Sequence, residues 1–249
     1  MSKILCVFLL VFVAASVSAR IVDSYSFLKD NADYAALTYA VRHEGDLNTS
    51  MSLFNKIQKD NLDTYSEEMN TVLKVKASTI LARFLVKEVK PEMKTEAEMI
   101  LAEARRKIAS LKKDSFFRLT LDADIDSICF LADRTDLSKG INSSQNINKA
   151  FKKYPEEITS ILLKANSLLF APGFAGGDIG KACNMFLSLM RDHSSDMSNW
   201  DLASLYSGIG IACYKLKDYP NAKAYLSNAK SMYPVDSEID SYLEKQERS

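Results

Sequence analysis

The sequence predicts an all-α protein, an α-α superhelix built as a solenoid of stacked helical hairpins, and three observations carry that prediction. Leu, Lys, Ala and Glu are abundant while only 8 Gly and 5 Pro occur in 249 residues, a composition that favours helices throughout. Apolar residues recur at three- and four-residue steps along most of the chain, whereas alternating apolar and polar runs are few. Near the C-terminus two helical stretches, Ala203 to Lys217 and Asn221 to Tyr233, combine small and large residues in a spacing suited to a closely packed pair. With 47% hydrophobic and 26% charged residues, the chain can bury a continuous core.

Residues 1–19 have the form of a secretory signal peptide. Lys3 precedes an apolar run from Ile4 to Ala15, and Val17-Ser18-Ala19 is a small-x-small cleavage site before Arg20. Twelve apolar residues are too few to span a bilayer, which needs about 20. The product is therefore expected to be exported, periplasmic or secreted, with no stable membrane span after cleavage.

After a lead-in with apolar Ile21, Tyr25, Phe27 and Leu28, a first helix runs from Ala32 through Tyr34, Leu37 and Val41 and stops at Glu44-Gly45-Asp46. A second, Ser50 to Gln58, presents Met51, Phe54 and Ile57. The pair reads as a degenerate repeat or as an ordinary helical hairpin. Longer helices follow: Thr64 to Lys90, ended by Pro91; Thr95 to Lys112; and Phe116 to Thr135. Ser138 to Asn146 is small, polar and without periodicity, so it is read as the internal boundary. It separates an N-terminal helical region with degenerate repeats, 20–137, from a repeat-like C-terminal region, 147–249, the two packed together as one continuous solenoid. Ile158 to Ala171 and Lys181 to Arg191 form a pair around an expanded turn in which Asp178 is the expected N-cap.

In the last pair the stripe Leu202, Leu205, Tyr206, Ile209, Cys213 and Leu216 contains Gly210, which costs about 1 kcal/mol against alanine in a helix. Close approach of a second helix backbone accounts for it. Pro220 sets the turn, because it lacks an N–H and disfavours helical geometry before it. Tyr206, Ile209, Gly210, Cys213, Ala222, Leu226, Ala229 and Pro234 fall at the signature positions of the tetratricopeptide repeat (TPR), with Cys213 and Leu226 in place of the usual aromatics. The unit thus resembles the TPR family. The stretch Ile158 to Pro234, with its Gly-Gly-Asp turn, is similar to exported bacterial repeat proteins, including relatives that accompany solute transporters. That resemblance implies stacked hairpins whose first helices form a concave surface.

Little in the sequence marks chemistry. Loss of Lys3 leaves 31 basic against 32 acidic residues, a balance that argues against a nucleic-acid binder. Arg105-Arg106-Lys107, interleaved with Glu96, Glu98 and Glu103, reads as a solvated helix face. Gly173, Gly176 and Gly177 lack the Lys-Ser/Thr of a phosphate loop. The two histidines, His43 and His193, show no metal-ligand spacing and read as surface residues, so neither a metal nor a cofactor is expected. Cys129, Cys183 and Cys213 read as buried thiols, with Cys183 to Cys213 the one candidate bridge. Trp200 reads as packing between repeats rather than as a ligand anchor.

The expected function is non-enzymatic protein binding: an exported scaffold, accessory to a periplasmic transport or envelope complex, with Tyr206, Tyr214 and Lys217 contributing to the partner surface. The alternative is a carrier of a small or apolar ligand between helices. From a different class, a cysteine-dependent hydrolase would need one of the three cysteines beside a histidine in a cleft.

Overall fold

A computed structural model describes residues 21–89 and 91–247. The signal peptide expected over 1–19 lies outside the described residues. Among them are eleven α-helices: α1 Ala32–Tyr39, α2 Leu47–Lys59, α3 Glu67–Glu88, α4 Lys94–Ile108, α5 Phe116–Ala132, α6 Leu137–Lys153, α7 Ile158–Phe170, α8 Ile179–His193, α9 Asn199–Lys215, α10 Tyr219–Met232 and α11 Ser237–Glu247. No helix among the described residues is long and apolar enough to cross a membrane.

Local chemistry explains most of the starts. Asn31, Asp46, Ser66, Ser115, Asp136, Asp178, Ser198 and Asp218 each turn a side-chain oxygen onto a backbone N–H of the first turn of the helix that follows. Pro220 sits in the first turn of α10, where its missing N–H costs nothing.

The helices pair in sequence as antiparallel neighbours, α1 with α2, α3 with α4, α5 with α6, α7 with α8 and α9 with α10. Each first helix also touches the next first helix, from α1 to α3, α5, α7, α9 and α11, and each second helix touches the first helix that follows it. This is the contact pattern of a solenoid, in which every hairpin buries its apolar face against its neighbours. Gly210 behaves as its place in the stripe requires: a Cβ there would lie 2.7 Å from Leu226 Cγ and 3.0 Å from the Leu226 backbone N. Ala222 and Ala229 of α10 are fully buried in the same contact.

One expectation needs correction and one stretch is new. Ser138 to Asn146, read as a boundary, lies inside α6. Asp136 caps that helix, Ser143 Oγ donates to the buried Ala123 carbonyl of α5 at 2.9 Å, and Gly140 lies against the Phe130 ring. Its polar, small residues serve close packing on α5 rather than a turn. Residues 237–247, unassigned from the sequence, form α11, whose Ile239 is buried.

The superhelix is closed in two further ways. Residues 21–30 run across α5 and α7: Val22 N donates to Glu156 O and Val22 O accepts from Ile158 N, while Ser24 N and Oγ donate to the Glu157 carboxylate at 3.1 and 2.5 Å. Tyr25 is buried against Phe116 and Phe117, its hydroxyl 2.7 Å from Thr120 Oγ1. At the other end, the α10–α11 linker reaches the first hairpin. Val235 N donates to Arg42 O, Val235 packs on Gly45, and Lys87 of α3 pairs with Asp236 and Glu238.

Candidate functional site

The closure leaves a cleft of about 670 Å³ on the face built by the first helices. Its lining comes from residues 23–29, α1, the α8–α9 junction and the start of α9, with Lys76 of α3, Thr159 of α7 and the end of α10 completing it. The volume lies within the range of about 300–1,000 Å³ typical of small-molecule pockets.

One wall is set by a backbone irregularity. The helix begun at Ala32 widens over Ala40–Glu44 into a π-helical turn, a form that occurs frequently at functional sites. Gly45 then ends it with φ +62°, a conformation glycine adopts without strain. Tyr34 is buried, whereas Tyr39 is 55% exposed at the rim and stacks on His43 with ring centroids 4.6 Å apart. Trp200 of α9 is half-buried, 5.7 Å from the Tyr233 ring, and lines the cleft together with Leu28, Met197 and Met232.

The charged groups differ in how they are satisfied. Lys29 pairs with Asp23 at 2.7 Å, and Lys76 pairs with Asp124 at 3.0 Å while lying over the Tyr25 ring. Arg42, only 4% exposed, forms no ion pair among the described residues. Its Nη2 donates to Asn199 O at 2.8 Å, its guanidinium lies over the Trp200 and Tyr233 rings at 5.7 and 5.6 Å, and its Nε has no hydrogen-bond partner. Burial lowers its pKa, although a guanidinium stays charged regardless. Asp201 accepts from Ser198 Oγ at 2.6 Å while Ser198 Oγ accepts from Asp201 N, a reciprocal cap at the start of α9. Burial pushes the Asp201 carboxyl above its ordinary value, and burial likewise holds the Tyr25 and Tyr34 phenols protonated.

The residues singled out from sequence lie elsewhere. Tyr206 is half-buried 6.2 Å from Tyr225, Tyr214 sits edge-on to Tyr219 and Tyr242, and Lys217 is exposed with φ +65° in the turn after α9. None of the three lines the cleft. Trp200, read as a packing residue, both packs on Tyr233 and faces the cleft. His43, read as a surface residue, is exposed at the rim. Cys129, Cys183 and Cys213 are free thiols outside the cleft, and burial raises all three, Cys213 to about 12. This is the opposite of the activation a nucleophilic cysteine needs. Sequence reasoning missed Arg42, although a signal existed: it follows Tyr34 by eight residues and so places a cation on the buried face of the first helix.

No family profile matches the chain, and no curated protein matches it either. Among solved structures, the HusA haemophore from Porphyromonas gingivalis is similar, with a TM-score of 0.51 at 18% identity over 74% of this chain and 94% of that one. At this identity the likeness concerns the fold.

Proposed function

We propose that this chain is an exported carrier that holds a small, flat, largely apolar ligand in the cleft between its first hairpin and α9. The observation that carries the reading is the aromatic lining of that cleft. A protein-binding solenoid uses a concave surface that runs along its hairpins, whereas here residues 21–30 cross α5 and α7 and narrow that face to a half-open, aromatic-walled cleft. Tyr34, Tyr39 and Trp200 offer ring faces of the kind that hold a planar ligand. The structural neighbour is a haemophore, which makes a porphyrin the first ligand to try. Export through the signal sequence expected at 1–19 suits a carrier working outside the cytoplasm. Kinship with tetratricopeptide repeats is part of the same reading, supported by Gly210 against Leu226 in the α9–α10 hairpin.

Trp200 is the only tryptophan in the chain and it lines the cleft, so its fluorescence reports occupancy directly. Titration of the mature chain, from Arg20 onward, with haem is expected to quench that emission at one equivalent and to shift the haem absorption band. No quenching by haem or by metal-free protoporphyrin IX would sink the carrier reading and return the protein-binding scaffold to first place.

A further inference from the structure

We infer that Arg42 is an oxyanion-binding residue of the cleft, so that the cargo is a planar aromatic carboxylate rather than a neutral apolar molecule. This rests on the carrier reading above and adds the chemistry of the ligand's polar end.

The charges of the cleft are unevenly paired. Each lysine in its lining has a carboxylate, Lys29 with Asp23 and Lys76 with Asp124. Arg42 has none among the described residues, although it is more deeply buried than either. A buried charge is costly unless it is paired and hydrogen-bonded. The guanidinium carries five N–H donors in a rigid fork, yet it makes one hydrogen bond, from Nη2 to Asn199 O, and leaves Nε without a partner. The Trp200 and Tyr233 faces compensate part of the charge but accept none of the remaining protons.

Arg42 is also held in place. The Arg42 carbonyl accepts from Val235 N, and the π-helical turn that carries the residue is closed by Gly45. A fork fixed in this way, short of an anion and beside an aromatic wall, matches a carboxylate attached to a flat ring system. Asp201, an acidic residue of the same lining, acts on Arg42 only through space: its carboxylate is engaged by Ser198 in the cap of α9 and makes no hydrogen bond to the guanidinium, so the fork keeps its open donors.

The test compares protoporphyrin IX, which carries two carboxylates, with its dimethyl ester, which has the same ring and none. Both are titrated into the mature chain with Trp200 quenching as the readout. Wild type is expected to bind the diacid roughly tenfold or more tightly than the ester, the scale of a charge-assisted hydrogen-bonded pair. Arg42→Met should remove that preference and leave ester binding unchanged, and Arg42→Lys, which keeps the charge without the fork, should fall between them. The acid–ester comparison on wild type decides even where Arg42→Met fails to fold. Equal binding of acid and ester by wild type, or a preference that survives in Arg42→Met, overturns the inference while the carrier reading stands. Binding of neither porphyrin overturns both.

Discussion

At Gly210 the missing side chain is the contact. A methyl there would meet Leu226 Cγ at 2.7 Å and the Leu226 backbone N at 3.0 Å, and a backbone atom of a buried helix has nowhere to move. Gly210→Ala gains about 1 kcal/mol of helix propensity and loses about 1–3 kcal/mol to overpacking, so a net destabilisation is expected in urea melts. Leu226→Ala alone should also destabilise, but added to Gly210→Ala it should recover part of the loss; strict additivity would refute the contact. Asp201 makes a prediction of a different kind. Burial raises its folded pKa above the ordinary 3.8, so its stabilisation is fully present below that value and is lost as pH rises through the raised one. Asp201→Asn keeps an acceptor for Ser198 Oγ and removes the titration. Relative to wild type, the variant should therefore gain stability between pH 4 and pH 8, as read from urea midpoints at both ends; a constant difference would exclude the effect.

The helices themselves show where local sequence decides and where it does not. The span from Phe116 could be placed from its apolar stripe, and Asp178 from its position ahead of one, because both signals are carried by residues of one element and need no distant partner. The α6 region could not, since Gly140 and Ser143 look like turn residues until α5 supplies Phe130 and the Ala123 carbonyl as their partners. The cleft was legible only in fragments for the same reason: Trp200 and His43 stood out by rarity, but what joins Arg42 to Trp200 is packing across more than 150 residues. The contact of the α10–α11 linker with α3 belongs to this class and can be tested. Lys87 loses solvent on burial, yet Asp236 and Glu238 more than compensate and raise its pKa. Lys87→Met leaves Asp236, only 7% exposed, without its cation, at an expected cost of about 1–3 kcal/mol because Glu238 remains partly solvated. Amide exchange should rise in the Pro234–Ser237 linker and in the π-helical turn that Val235 touches; exchange unchanged in that turn would show that the two ends are not coupled.

Across the whole molecule, the order of the hairpins is less distinctive than the way the chain covers its own inner face. A solenoid needs only contacts between neighbouring hairpins, but here residues 21–30 reach α5 and α7, more than 90 residues away, and form part of the cleft wall. Tyr25 and Leu28 are 6% and 4% exposed, and burying two such side chains contributes roughly 3–6 kcal/mol. A chain beginning at Asn31 keeps every helix-to-helix contact of the stack, so its far-UV circular dichroism should stay close to that of the mature protein while its melting temperature falls. Its cleft, however, loses Asp23, Tyr25, Leu28 and Lys29 together. Porphyrin quenching of Trp200 should then weaken by roughly tenfold or more, the scale set by losing a buried aromatic and an apolar contact. Tyr25→Ala, which removes the anchor but keeps the segment, should lie between the two if the wall depends on how firmly that segment is held. Undiminished binding by the shortened chain would place the ligand outside this wall and make residues 21–30 a brace for the hairpins alone.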